Sequence, residues 1–229
     1  MNQKNQLLLL IVLLVVIAVS VVIVLPNRTP GEVEIVSTET GDSVLVSDYV
    51  ARYTDIDRGR TEDGGYVLGS ADAPVTIVEF ADFMCPHCQT YHETVRQFIE
   101  QYVATGQAKF EYRLFPIVNP ELSVFTAQLA ECVDTQQPGL FWAAHDLLFD
   151  LAALGQISKE TTPAALAEAL KVDVAALNTC LETAKQYETD IAIGDAAGVN
   201  GTPATLVRLD AETIGWGYVD GQVYNRGGM

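Results

Sequence analysis

The sequence predicts an α/β domain with a helical insertion, preceded by a single membrane-spanning helix. Three observations support this class. An apolar strand, a helix and a second strand open the domain, and an alanine- and leucine-rich helical stretch follows over about 120–197 before strand character returns. Parallel pairing of the first two strands requires a right-handed crossover through the helix. We therefore expect a helical block set inside an α/β frame.

Composition excludes several classes of protein. A chain of 229 residues suits one domain plus appendages, and 49% hydrophobic against 19% charged residues excludes a disordered chain. The formal net charge of −17 repels nucleic acid phosphates and anionic membrane surfaces at long range. We therefore expect no nucleic-acid partner.

An uninterrupted apolar run covers residues 7–25. As a helix it would be roughly 28 Å long, which matches the hydrocarbon core of a bilayer. A signal-peptide apolar region is shorter, about 7–15 residues, and the poor cleavage site at Ala18-Val19-Ser20 lies inside the run. The run predicts an uncleaved anchor in the lipid bilayer. The short tail 1–6 is then cytoplasmic, and the large domain that follows is extracytoplasmic.

Residues 26–65 are typical of an extracytoplasmic linker because they contain Pro-Gly, charged and Gly-Gly stretches. Within them, "SVLVSDYVARY" fits either a short strand or a helix. The compact domain is expected over 66–229, with its first strand in "APVTIVEFADF". A helix from Cys85 to about Thr105 and a strand in "AKFEYRLFPIV" follow. Strands return in "TPATLVRLD" and "GWGYVDGQVYN".

The motif Cys85-Pro86-His87-Cys88 lies at the predicted start of the first domain helix, with Pro86 in its first turn. Cysteines three residues apart on a helix share one face and can form a small-loop disulfide. Backbone N–H groups and the dipole at the helix N-terminus stabilise a thiolate at Cys85, and His87 adds a donor nearby. Cys88, one turn deeper, would resolve a mixed disulfide.

Two structural alternatives fit the motif poorly. A zinc site needs about four ligands, and the remaining candidates (His87, His92, His145 and two distant cysteines) lack paired spacing. An inert disulfide at this spacing constrains little chain entropy. The motif therefore predicts a reactive dithiol, with no metal and no cofactor, and Cu(I) transfer stays a weaker alternative.

Two motifs at this separation resemble the DsbA-like thioredoxin-fold family of thiol–disulfide oxidoreductases. They are "VTIVEFADFMCPHCQTYHE" and the later "GVNGTPATLV", and the resemblance covers roughly residues 66–222. It implies a thioredoxin-like fold with a helical insertion. The family usually closes this fold with a C-terminal helix, which is apparently absent after "YNRGGM".

The resemblance implies roles for particular residues. Cys85 would be the exposed nucleophile and Cys88 its buried partner. Thr202 and Pro203 would form a cis-proline loop facing the disulfide, with the Thr202 backbone binding a substrate strand. Glu79, six residues before Cys85 in an apolar strand, would be a buried carboxylate of raised pKa that takes the proton of Cys88 as this thiol attacks.

Cys132 and Cys180 each lie on an amphipathic helix of the insertion. They could be two small buried side chains, but an oxidising compartment favours a structural disulfide. Closing about 48 residues would be worth roughly 4 kcal/mol in the chain-entropy model. His92 and His145 are expected on helix faces.

These observations favour an oxidase that introduces disulfides into reduced or unfolded exported proteins. The resemblance implies reoxidation by a DsbB- or VKOR-type membrane oxidase. A reductase or isomerase of the same fold is the nearest alternative. A tethered chaperone for unfolded exported proteins is an alternative of a different class.

Overall fold

The computed structural model describes residues 44–208, 214–216, 218–219 and 222–223. The expected anchor at 7–25, the start of the expected linker and the expected lack of a closing C-terminal helix lie outside these residues. Within the described part of the chain, no helix is long and apolar enough to span a bilayer.

The described residues form seven α-helices and eight strands. The helices are α1 (Val44–Ala51), α2 (Pro86–Phe98), α3 (Leu122–Gln136), α4 (Phe141–Ala153), α5 (Thr162–Leu170), α6 (Val174–Cys180) and α7 (Gln186–Ala196). A π-helical turn, Ile99–Val103, extends α2. The strands are β1 (Arg58–Arg60), β2 (Tyr66–Leu68), β3 (Thr76–Ala81), β4 (Lys109–Leu114), β5 (Ala204–Arg208), β6 (Ile214–Trp216), β7 (Tyr218–Val219) and β8 (Gln222–Val223).

Six strands form one sheet in the order β1-β2-β4-β3-β5-β6, and β7 and β8 form a separate hairpin. β3 and β4 are parallel and are joined through α2, whereas the other neighbours in the sheet are antiparallel. The β-α-β opening and the α/β class predicted from the sequence are therefore confirmed. Because β3 and β4 are parallel, the segments that follow them meet at the same edge of the sheet.

The two faces of the sheet are covered by different helices. Alternate residues of β3 point to opposite faces. Ile77 and Ala81 join the larger core, which holds both cysteines of the motif, whereas Val78 and Phe80 join the smaller core. Glu79 lies between Ile77 and Ala81 in this alternation, so it faces the layer of the dithiol.

The helical insertion runs from α3 to α7, between β4 and β5, close to the expected range of about 120–197. Its last helix, α7, covers the smaller core. Gly194 permits the close approach of α7 to the sheet, because a Cβ at this position would lie 2.5 Å from the Phe115 ring. The insertion is thus part of the same fold and not a separate appendage.

The fold begins earlier than the Tyr66 start that the sequence indicates. β1 lies within the segment expected to be a linker, and it pairs with β2 at the edge of the sheet. α1 is also in this segment, where the Tyr49 hydroxyl donates to Asp150 of α4 at 2.7 Å and Tyr53 is buried. The turn-rich composition of this segment reflects tight connections between short elements, so residues 44–65 pack with the domain.

Candidate active site

Cys85 is the N-cap residue of α2, and Pro86 occupies the first helical turn. The preceding strand, β3, ends at Ala81, so four residues carry the chain from the sheet edge to the dithiol. The structure describes Cys85 and Cys88 as free, buried cysteines. It therefore represents the reduced dithiol, placed where a strand ends and a helix begins.

The environment of Cys85 lowers its thiol pKa from 9.0 to about 5. The largest cause is a hydrogen bond from the Cys88 thiol, and burial opposes it. Backbone N–H groups of His87 and Cys88, which are unpaired donors of the first helical turn, also stabilise the thiolate. Cys85 is therefore largely ionised at neutral pH.

Cys88 has the opposite environment. Burial raises its thiol pKa far above the ordinary value, and the hydrogen bond with Cys85 and the charge of Glu79 act in the same direction. The backbone N–H of Asp82 partly counters this rise. The two sulfurs are thus strongly unequal, with Cys85 as the thiolate and Cys88 as the protonated partner.

Glu79 is 3% exposed, and burial raises the pKa of its carboxyl group from 4.5 to about 8. In the sheet it lies opposite Tyr112 of β4. Both side chains face the layer that contains Cys88. A carboxyl group that is largely protonated near neutral pH can give a proton to a departing Cys88 thiolate.

The Thr202–Pro203 peptide bond is cis, as the resemblance implies. The Cys85 sulfur lies 3.4 Å from the Thr202 carbonyl oxygen, to which it donates when it is protonated, so the loop before β5 lies directly against the dithiol. This contact explains a difference from the sequence-based expectation. Cys85 was expected to be exposed, but it is only 3% exposed in the structure because this loop covers it.

The remaining residues of the motif face solvent. The side chains of Pro86 and His87 are both exposed. His87 contributes its backbone N–H to Cys85, which is a contact that any non-proline residue could make.

Cys132 and Cys180 form a disulfide that joins α3 to α6. Cys132 is fully buried, and Cys180 is packed at the edge of the larger core. The pair lies within the helical insertion and is separate in sequence from the dithiol. The structure therefore has the structural disulfide that an oxidising compartment favours.

His92, His145 and Asp146 form a buried cluster, with one candidate ligand atom from each lying within 4.8 Å of the others. The oxygens of Asp146 are already engaged. Oδ1 accepts from the Tyr53 hydroxyl at 2.9 Å, and Oδ2 pairs with Arg52. Because the carboxylate is compensated by a guanidinium, the cluster fits a buried ion-pair network better than a cation site.

His92 lies on α2 and His145 on α4, as expected, and both side chains are buried. His145 is fully buried, and burial lowers its pKa to about 4, so it is neutral at pH 7. Its ring packs edge-on against Tyr112 at 4.6 Å and against Phe149 at 5.0 Å. The ring is enclosed because aromatic residues from the sheet and from α4 converge on it.

The sequence-based reading missed Asp82, which is 2% exposed and lies three residues before Cys85. Its carboxylate accepts hydrogen bonds from Met84, Ile117, Val118 and Ser123. A polar residue directly after an apolar strand is usually read as a turn. The sequence feature that could have identified Asp82 is its position between the strand and the dithiol.

The fold and the site together define a thioredoxin-fold protein with a reactive dithiol at a helix N-terminus and a cis-proline loop facing it. A family model described as thioredoxin matches residues 61–212. The chain belongs to this thioredoxin family and, within it, to the DsbA-like thiol–disulfide oxidoreductases.

Two proteins and one solved structure illustrate what the chain is similar to. Disulfide bond formation protein D of Bacillus subtilis (strain 168) is 29% identical over 157 residues, covering 63% of this chain and 68% of that protein. The Na(+)/H(+) antiporter NhaA 3 of Salinispora tropica is 33% identical over 153 residues, covering 63% of this chain but 22% of the antiporter. The crystal structure of oxidised BdbD from Bacillus subtilis matches with a TM-score of 0.55 and 26% identity, covering 73% of this chain and 92% of that chain.

Proposed function

We propose that the protein is a membrane-anchored, extracytoplasmic oxidase that introduces disulfides into reduced or unfolded exported proteins through Cys85 and Cys88. The observation that carries the direction of this proposal is the lowered pKa of Cys85, at about 5. A stabilised thiolate favours the reduced dithiol over its disulfide, and it also makes Cys85 a good leaving group. Both effects favour transfer of the disulfide to the substrate.

The reaction begins from the Cys85–Cys88 disulfide. A substrate thiolate attacks the Cys85 sulfur, the bond to Cys88 breaks, and Cys88 leaves as a thiolate. The carboxyl group of Glu79 gives Cys88 a proton. A second substrate thiolate then attacks the substrate sulfur of the mixed disulfide, and Cys85 leaves as a stabilised thiolate. The substrate has lost two electrons, and the dithiol has gained them.

Substrate binding at the cis-proline loop follows from the position of Thr202. Its carbonyl oxygen contacts Cys85 in the reduced dithiol, and β5 starts two residues later. In the complex, the Thr202 backbone would pair with an extended substrate segment and bring its sulfur to Cys85. The loop thus positions the substrate chain without selecting its sequence.

Reoxidation of the dithiol requires an electron acceptor. We assign this role to a quinone-linked membrane oxidase of the DsbB or VKOR type, which accepts the two electrons from Cys85 and Cys88. The apolar run 7–25 supports this arrangement, because an anchor would keep the dithiol near a partner in the same bilayer.

The reduction potential decides the direction of the reaction. The protein is equilibrated with glutathione redox buffers, and we expect a value closer to about −120 mV than to about −270 mV. A value near about −270 mV with a near-neutral Cys85 pKa would support a reductase instead. Replacing Cys85 by Ser should abolish oxidation of a reduced model protein. Full protection of unfolded protein by Cys85→Ser, with no oxidase activity in wild type, would support the chaperone alternative.

The anchor is tested separately. The full chain and a version starting at residue 26 are produced with the same tag, and membranes are washed with alkaline carbonate. We expect the full chain to stay with the membranes and the shorter chain to be released. Release of both would overturn the anchor while leaving the oxidase assignment intact.

A further inference from the structure

Three segments meet at the edge of the sheet where β3 and β4 end. They are residues 82–85 after β3, residues 115–118 after β4 and the start of α3. The backbone ladder continues slightly beyond the strands, since the Phe115 N–H donates to the Ala81 carbonyl oxygen at 2.9 Å. The first of these segments leads to the dithiol, and the second ends in two exposed residues, Ile117 and Val118.

The carboxylate of Asp82 joins all three segments. Oδ1 accepts from the Met84 N–H at 2.9 Å, within the turn that leads to Cys85. Oδ2 accepts from the Ile117 N–H at 2.9 Å, the Val118 N–H at 2.8 Å and the Ser123 hydroxyl at 2.8 Å. Four donors use the full acceptor capacity of one carboxylate. Asp82 is therefore the shared hydrogen-bonding centre of this edge.

The backbone of Asp82 acts on both cysteines. Its carbonyl oxygen accepts from the Cys85 N–H at 3.0 Å. Its own N–H lowers the pKa of the Cys88 thiol, against the larger effect of burial. A shift of Asp82 would therefore move the turn on which both sulfurs depend.

The segment after β4, which the Asp82 carboxylate holds, presents apolar side chains to solvent. Ile117 is 44% exposed and Val118 is 47% exposed, although both are large hydrophobic residues. Their backbone N–H groups are held by the same oxygen of Asp82. These exposed aliphatic side chains are linked through Asp82 to the turn that leads to the dithiol, and they suit an apolar segment of an unfolded polypeptide.

We propose that Asp82 is a positioning residue that holds the apolar pair Ile117–Val118 at a fixed distance from Cys85, so that a bound polypeptide presents its thiol to the dithiol. This inference rests on the proposed thiol–disulfide exchange and adds a determinant of polypeptide substrates to it. A small dithiol does not need the apolar pair, because it reaches Cys85 by itself. A variant that affects only the positioning of a polypeptide should therefore slow the reaction with the polypeptide and not the reaction with the small dithiol.

The test compares wild type with Asp82→Asn, which keeps the size of the side chain but cannot accept four hydrogen bonds. Oxidation of an apolar peptide with two cysteines and of dithiothreitol is measured with the full chain, with oxidised glutathione as the electron acceptor that regenerates the Cys85–Cys88 disulfide. We expect the peptide KM to rise roughly tenfold, the change expected from losing about 1.4 kcal/mol, with kcat changing less than about threefold. The rate with dithiothreitol should change less than about twofold.

A matched control is Asp134→Asn. Asp134 is also a buried carboxylate that accepts backbone N–H groups, from Gly139 at 2.7 Å and from Phe141 at 3.4 Å, but it serves the turn between α3 and α4. It should lose stability without a change in the peptide KM. An equal rise in KM for Asp134→Asn would overturn the proposal, because general loosening of the fold would then explain it.

Two further variants keep the test decisive if Asp82→Asn does not fold. Ser123→Ala removes one of the four donors, so it should give a smaller rise in the peptide KM. Ile117→Ala combined with Val118→Ala should raise this KM without affecting dithiothreitol. An unchanged peptide KM in either variant refutes the inference. Lack of any exchange by wild type would defeat the proposed function instead, so the two failures are distinguishable.

Discussion

The Cys85 thiol is 3.4 Å from the carbonyl oxygen of Thr202, although 117 residues separate them in the chain. This contact joins the N-terminus of α2 to the loop that precedes β5. It places the reactive sulfur beside backbone that a substrate strand can pair with. The thiolate character of Cys85 and the position of the substrate chain therefore depend on the same small region.

Removing the Cys88 thiol should raise the pKa of Cys85. The hydrogen bond from Cys88 is the largest cause of the lowered pKa of about 5, so Cys88→Ala should raise it by roughly one unit or more. The thiolate absorbance near 240 nm, followed against pH, measures this pKa. Cys85→Ala should show no transition between about pH 4 and pH 8, because burial raises the pKa of Cys88 far above that range. An unchanged pKa in Cys88→Ala would contradict the assignment.

Glu79→Gln should stabilise the reduced protein at high pH. Burial raises the folded-state pKa of Glu79 from 4.5 to about 8, so folding favours the protonated form. Ionisation of Glu79 therefore destabilises the folded state. This loss of folding stability is absent below about pH 4.5 and grows until about pH 8. Because Gln resembles the neutral acid, the variant should match wild type at pH 4 and exceed it by on the order of 4 kcal/mol at pH 9.

Urea unfolding at several pH values measures this difference. Glu93→Gln, on the exposed side of α2, is the control and should show no such divergence. The same Glu79→Gln variant should slow disulfide transfer, since an amide has no proton to give to Cys88. If the difference in unfolding free energy between wild type and Glu79→Gln is the same at all pH values, the raised pKa of Glu79 is contradicted.

Breaking the ion-pair network of Arg113 should destabilise the fold without affecting the dithiol. Arg113 is fully buried and pairs with Glu111 at 2.6 Å and with Asp190 at 3.0 Å, which links β4 to α7. Arg113→Leu leaves the buried carboxylate of Asp190 without its guanidinium partner, whereas Glu111 keeps its pair with Arg208. We therefore expect a loss of about 3–5 kcal/mol in urea unfolding. The exposed pair between Lys159 and Glu121 is the control, and Lys159→Met should change little. A shifted pKa of Cys85 in Arg113→Leu would show that the network reaches the active site.

Removing the structural disulfide should lower stability but not exchange activity. Cys132 and Cys180 are 48 residues apart, so replacing both by Ala should cost about 4 kcal/mol in the chain-entropy model. Urea unfolding measures the loss, and the reaction with dithiothreitol measures activity. The rate should stay within about twofold of wild type, because the pair is outside the dithiol's contacts. A large loss of activity at a temperature where the variant is folded would instead indicate a redox connection between the two pairs.

The sequence was most informative where local pattern decides structure. The apolar run around Glu79 and the position of Pro86 sufficed to predict a strand, a helix start and a dithiol at its N-terminus. The roles of Asp82 and His145 could not be predicted in this way. Three of the four donors to Asp82 come from residues 117–123, and His145 is enclosed by rings from several elements, so both depend on tertiary packing. The early start of the fold was missed for a related reason, since Tyr53 is buried only by contact with distant helices.

The disulfide between Cys132 and Cys180 has a consequence for how the protein itself matures. A newly made copy has four cysteines, and two of them must be oxidised and paired before the helical insertion reaches the structure described. Under the proposed function, the protein belongs among its own substrates. Existing copies can oxidise the insertion of each new one, so its supply in a cell would be self-sustaining once the first copies are oxidised.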